Sequence, residues 1–233
     1  APNSKGYRMK LALCITTYNR LACLQAMLSS FAKTRDFRHD WRVYIVDDGS
    51  TDGTVEFLRS QAVHLVQQPR LGVHEAKNRL FEAALSDGCD FGWQVDDDVV
   101  FRVSGWDRAY IDAAEASGFE HLVLYDSAWA SQHRQDGFTR LRTNQPLQSA
   151  VPTPRACQGA CWTFSPSVVE RVGWFDVVGF GPCGYGHADY TLRACRAGCN
   201  QINTAGGPWD ALHSERYVHL QRSRYMPAIP AGK

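Results

Sequence analysis

The chain of 233 residues contains no apolar run approaching the ~20 residues that a membrane-spanning helix needs, so no segment reads as one. It also lacks charge of one sign. The formal net charge is +1, without the basic field that would hold a nucleic-acid backbone, and no nucleic-acid partner is expected. Charged residues make up 21% and aromatics 12%, which argues for a packed globule rather than a disordered chain. Internal repeats, linkers and low-complexity tracts are missing. No Gly-x-Gly-x-x-Gly follows the first apolar segment and no Gly-Lys-Ser/Thr loop occurs, which disfavours a Rossmann dehydrogenase and a P-loop nucleotidase. The start, Ala1-Pro2-Asn3-Ser4-Lys5-Gly6, has neither an initiator Met nor a signal-like core and reads as a processed end or a cut boundary. The expected location is cytoplasmic, with attachment to a membrane surface or membership of a larger protein left open.

Eight cysteines are present. Cys14, Cys23 and Cys89 fall on or beside apolar segments and read as small core residues. Cys157, Cys161, Cys183, Cys195 and Cys199 gather in the second half. Their Cys-x3-Cys pairs lack the usual two-residue zinc-knuckle spacing, and reduced thiols are the default reading, with disulfides or zinc as alternatives.

Residues 11–17, 43–46, 64–66 and 91–95 read as short buried strands. Between them lie helical patterns: Leu24, Met27, Leu28 and Phe31 with Asn19 as N-cap; Val55 and Leu58, capped from Ser50-Thr51-Asp52; and Val73, Ala76, Leu80 and Ala84, stopping near Gly88. This order predicts an α/β fold with a mostly parallel central sheet, right-handed crossovers and flanking helices. The second half is less regular. Helices are predicted over 104–117 and 187–196 and strands at 122–125 and 160–164, with a loop at 179–186 holding four glycines in eight residues. One domain over 1–233 is the simplest reading, with residues of about 10–100 as a nucleotide-binding half and 101–233 as a substrate half.

Three predicted strands end in polar residues: Thr16-Thr17-Tyr18-Asn19, Asp47-Asp48-Gly49-Ser50 and Asp96-Asp97-Asp98. Open parallel sheets bind ligands at those carboxyl ends. Adjacent carboxylates repel and are costly to bury unless a cation or hydrogen-bond donors meet them. A divalent metal carrying a phosphorylated substrate would relieve that cost; a solvated acidic turn is the plainer alternative.

Thr16-Thr17-Tyr18-Asn19-Arg20, Val46-Asp47-Asp48-Gly49-Ser50-Thr51-Asp52-Gly53-Thr54, Gly72 to Asn78 and Asp96-Asp97-Asp98 together resemble family 2 glycosyltransferases of GT-A fold, over about residues 10–100. More loosely, Gly184-Tyr185-Gly186-His187-Ala188-Asp189 is similar to the Gly-Trp-Gly-x-Glu-Asp segment of β-1,4-galactosyltransferase-like enzymes, Ala188 standing where Glu is usual. The resemblance implies an inverting, metal-dependent glycosyltransferase moving a sugar from a nucleotide-sugar donor, a UDP-sugar first of all, to a hydroxyl of a glycan or glycoconjugate acceptor. It implies that Thr16, Tyr18, Asn19, Asp47, Lys77, Asn78, Asp96 and Asp97 belong to the nucleotide site. In that set Tyr18 stacks on the base, Asp47 bonds its edge and Asp96 holds the ribose. Strand alternation turns Asp97 away from its neighbours.

Asp98 and His213 are the implied metal ligands, and an imidazole among oxygen ligands favours Mn²⁺ over Mg²⁺. Asp189 is the implied general base, near a helix start that favours its ionised form. Tyr185, Gly186 and His187 are placed beside the acceptor. Most of the tryptophans are expected in the core. Two other classes remain in view: a non-catalytic nucleotide-sugar or glycan-binding module of the same fold, and a nucleotidylyltransferase, although the latter's glycine-rich basic phosphate loop is absent.

Overall fold

A computed structural model describes residues 8–124, 159–184 and 186–200, with the backbone of 218–220. The first half alternates β1 (Lys10–Thr17), α1 (Leu21–Thr34), β2 (Asp40–Asp47), α2 (Thr54–Arg59), β3 (His64–Gln67), α3 (Val73–Ser86) and β4 (Phe91–Asp96). The rest adds β5 (Val99–Phe101), α4 (Trp106–Ser117), β6 (Cys161–Phe164), α5 (Pro166–Val172), α6 (Val177–Phe180), α7 (Gly186–Arg196) and β7 (Val218–Leu220). The main sheet has the order β3-β2-β1-β4-β6; all pairs are parallel except β4–β6. β5 and β7 form a separate antiparallel pair, an element the sequence pattern did not suggest.

The strands are apolar on both faces because helices cover both sides. On one face Leu11, Leu13, Ile15, Phe91, Trp93 and Val95 meet Leu24, Met27 and Phe31 of α1 and Trp106 and Tyr110 of α4. On the other, Ala12, Cys14, Tyr44 and Val46 meet Ala76, Leu80, Phe81 and Ala84 of α3 and Tyr190 and Ala194 of α7. Trp93, Trp106 and Trp162 are fully buried, while Trp174 is half-exposed. Among the described residues no cysteine is in a disulfide, and Cys157 lies outside them.

Two predicted details need correction. Asn19 is not the N-cap of α1. Its φ of 50° puts it in the left-handed region, its Oδ1 accepts from Thr51 N at 2.7 Å, and Arg20 holds the cap position, its side chain turned to Asp97 and Asp98 and not to the helix end. The first N–H of α1 is met from outside instead: Asp52 Oδ2 accepts from Leu21 N at 3.0 Å, while its Oδ1 accepts from Thr54 N at 3.1 Å. One carboxylate thus serves two helix starts. The predicted strand at 122–125 reduces, among the described residues, to an antiparallel bridge between Val123 and Trp162. Residues 122–124 pair with the free edge of β6, but Tyr125 lies outside the described residues.

Candidate active site

The register of the sheet assembles the site. Thr16 lies opposite Asp96 and Thr17 opposite Asp47, so β1, β2 and β4 end at one level. β1 is where successive crossovers part to opposite sides, the position at which open α/β sheets form a ligand crevice.

Asp47 is buried, and one of its oxygens shapes the turn: Oδ2 accepts from Gly49 N at 3.1 Å and Ser50 N at 3.0 Å. Its Oδ1 is buried and has no hydrogen-bond partner among the described residues, a costly state for a carboxylate oxygen. Asp48 anchors the following loop, accepting from Gln68 Nε2 at 2.7 Å, Gly72 N at 3.1 Å and Arg70 Nη1 at 3.0 Å. The Arg70 guanidinium in turn lies over the Tyr18 ring, 3.2 Å from its centroid. Arg70 was not singled out from the sequence; a cation just past the third strand end was the available signal.

The three acids divide, Asp97 and Asp98 sharing Arg20 in the turn beyond β4 and Asp96 facing Lys77. Asp96 is the most open, with its side chain 38% exposed and Lys77 Nζ 3.9 Å away. Asp97 turns inward, where Thr17 Oγ1 donates to it at 2.7 Å and Arg20 Nη1 lies at 2.9 Å. Arg20 Nη2 donates to Asp98 at 2.8 Å. Burial, reinforced by Asp98 and Asp96, pushes Asp97 up to about 7 against the pull of Arg20 and Thr17. Burial and Asp96 also raise Asp98 above the usual carboxylate range. Arg20 and Lys77 face these three carboxyls, and the open oxygens of Asp96 are hard donors that suit Mg²⁺ or Mn²⁺. Among the described residues no three His, Cys, Asp or Glu side chains converge in a geometry that would hold a metal ion. His213, the expected imidazole ligand, lies outside them.

Lys77 is buried on α3, and burial lowers its pKa while Asp96 opposes the shift. Asn78 does not face the carboxylates with a free amide. Its Oδ1 accepts from Phe175 N at 2.8 Å and its Nδ2 donates to Phe175 O at 3.1 Å, tying α3 to the segment before α6. Two more bonds continue that seam: Val73 N to Pro182 O at 2.8 Å, and His74 Nδ1 to Gly181 O at 2.8 Å. The contact is close enough that a Cβ on Gly72 would collide with Pro182, and one on Gly186 with the His74 imidazole. His74 is buried, which lowers its pKa, and it lies within electrostatic reach of both Lys77 and Asp189.

Asp189 lies in the first turn of α7, as predicted, with its side chain 28% exposed. His187 is half-buried, packed where a Cβ on Gly159 would collide with it. Tyr185 lies outside the described residues.

A switch-point crevice with acids at the ends of β2 and β4 is the arrangement of a GT-A fold. The model of "Glycosyl transferase family 2" matches residues 12–173, and the chain belongs to that family. An uncharacterized glycosyltransferase of Acanthamoeba polyphaga mimivirus is 24% identical over 223 residues, 91% of this chain and 81% of that protein. Among solved structures, the mannosyltransferase PcManGT from Pyrobaculum calidifontis in complex with GDP-Man and Mn²⁺ superposes with a TM-score of 0.62 at 20% identity, over 85% of this chain and 55% of that one. S. aureus TarS in complex with UDP gives a TM-score of 0.54 at 18% identity, over 81% of this chain and 55% of that one. The chain therefore spans about half the length of the solved structures it matches. These structures share its fold.

Proposed function

We propose that the chain is an inverting, metal-dependent glycosyltransferase that moves a sugar from a nucleotide-sugar donor, first of all a UDP-sugar, to a hydroxyl of a carbohydrate or glycoconjugate acceptor. The observation that carries this reading is the common level at which β1, β2 and β4 end, Thr16 opposite Asp96 and Thr17 opposite Asp47, with Asp47 Oδ1 left as a buried acceptor that has no partner among the described residues. An N–H on the edge of a nucleotide base would supply the missing donor. Tyr18 offers a ring face to the base and Asp96 its open oxygens to the ribose. Lys77 is a buried cation suited to a diphosphate, whose charge would offset the cost of its burial. The first hundred residues form the donor half and the remainder the acceptor half of one domain.

Asp98 would hold the metal, joined by His213. When bound, Mn²⁺ would neutralise charge on the departing diphosphate. Asp189 acts as the general base. As the acceptor oxygen bonds to the anomeric carbon, its proton passes to Asp189, and the bond to the diphosphate breaks with its electron pair leaving on the nucleoside diphosphate. A single displacement of this kind inverts the anomeric centre. Positioned base catalysis contributes on the order of 10²–10⁴-fold.

The reading also has support beyond this chain. The relatives of the same fold include one complexed with GDP-Man and Mn²⁺ and one with UDP.

Calorimetric titration with UDP, GDP and dTDP, each with and without Mn²⁺, tests the donor site. One nucleotide binding tightly only with Mn²⁺ is expected and would identify the donor class. Absence of binding under every condition would overturn the donor site.

A further inference from the structure

Arg193 touches three parts of the structure at once. Its Nε donates to Asp189 Oδ2 at 2.8 Å, its Nη1 to Val172 O at 2.5 Å and its Nη2 to Trp174 O at 3.0 Å. Val172 and Trp174 flank Gly173, just past α5, where helix-end carbonyls lack intrahelical partners. A guanidinium is planar and rigid, so placing two of its nitrogens on backbone carbonyls fixes the direction in which the third donates.

An ordinary i,i+4 pair on an open helix surface has no such anchor, and its arginine is free to swing. Here the anchored nitrogen takes one oxygen of Asp189, while Oδ1 makes no hydrogen bond among the described residues. One carboxylate oxygen is held and the other is open. That is the arrangement a base requires to meet an incoming hydroxyl in a fixed direction, since geometry limits proton transfer before proton affinity does.

We propose that Arg193 is the positioning residue for Asp189: it locks the carboxylate rotamer against the backbone of residues 172–174 and aims Oδ1 at the acceptor. This inference rests on Asp189 acting as the base. The competing role is a purely structural one, in which Arg193 only satisfies the carbonyls past α5. That role would cost stability without separating turnover from donor binding.

The test measures nucleoside diphosphate release from UDP-glucose, UDP-N-acetylglucosamine and GDP-mannose with Mn²⁺, for wild type, Asp189→Asn, Arg193→Ala and Arg193→Lys. Nucleotide affinity is measured alongside by calorimetry and folding by thermal melts. Arg193→Ala is expected to lower kcat about 10²-fold, the scale of a misplaced catalytic group, with nucleotide Kd unchanged within about twofold. Millimolar guanidinium should restore part of the loss, and adding Arg193→Ala to Asp189→Asn should slow the enzyme no further.

Arg193→Ala turning over within about threefold of wild type while Asp189→Asn is inactive would overturn the positioning role and leave the base in place. Retained turnover in Asp189→Asn, or no release by wild type from any donor, would instead overturn the base assignment beneath it. If Arg193→Ala does not fold, Arg193→Lys decides. A folded Lys variant at least about tenfold slower supports the role of the planar fork, and one equal to wild type overturns it.

Discussion

Arg20 Nη2 donates to Asp98 Oδ2 at 2.8 Å, so the carboxylate assigned to the metal is held by a guanidinium that also reaches Asp97. Removing that cation leaves Asp97 buried with, among the described residues, Thr17 alone to meet it. Breaking a buried pair from one side typically costs about 3 kcal/mol or more. Arg20→Ala should lose that much in urea denaturation, and adding Asp97→Asn should recover over half of it. A variant as stable as wild type would show that the pair contributes little.

Asp98→Ala addresses the metal rather than the fold. Nucleotide affinity in the presence of Mn²⁺ should fall by at least about tenfold, while the weaker metal-free affinity stays unchanged. Equal loss with and without Mn²⁺ would mean that Asp98 shapes the pocket without holding the ion.

His121 links stability to pH. It is fully buried between Thr163 O at 3.0 Å and Thr191 Oγ1 at 3.1 Å, and burial pulls it down to about 4 from an ordinary 6.5. The unfolded chain therefore takes up this proton first as pH falls. The stabilising contribution of neutral His121 is complete above pH 6.5 and is lost progressively towards pH 4, a difference on the order of 3 kcal/mol. Asp97, shifted upward, works in the opposite sense over the same range. The informative quantity is thus the difference between wild type and His121→Asn. Their separation in thermal stability at pH 7 should shrink towards pH 4.5, and a constant separation would contradict the account.

Gly72→Ala tests the seam between the two halves. Gly72 has φ +95° and faces Pro182 too closely for a Cβ. A loss of about 2 kcal/mol or more is expected from the backbone conformation and the collision together. Gly72 N also holds Asp48, so calorimetry should show weakened nucleotide binding as well. A neutral substitution would mean that Pro182 yields readily.

The parallel sheet and its helices were legible because each element has a simple period or an unbroken apolar run, and because Asp47 and Asp96 mark the strand ends by themselves. The burial of Trp93, Trp106 and Trp162 followed the same logic. Asn19 misled because its residue type suits a cap, whereas a carboxylate distant in sequence, Asp52, does that work. The bonds of Asn78 to the Phe175 backbone join residues 97 apart in sequence and had no local signal. Arg70 and Arg193 act through backbone carbonyls, a ring face and carboxylates brought in by the fold; the sequence offered only the place of Arg70 past the third strand and the i,i+4 spacing of Arg193 from Asp189. The β5–β7 pair joins segments too far apart, and strands too short, for a periodic signal.

The seam along α3 has a mechanical consequence. Val73, His74 and Asn78 fasten one face of this helix to Pro182, Gly181 and Phe175, and the same helix presents Lys77 to the strand-end acids. A helix pinned at three heights behaves as a strut. The place of Lys77 before the strand-end acids is therefore set from outside α3, by the backbone of residues 175–182 as much as by the turns of the helix itself.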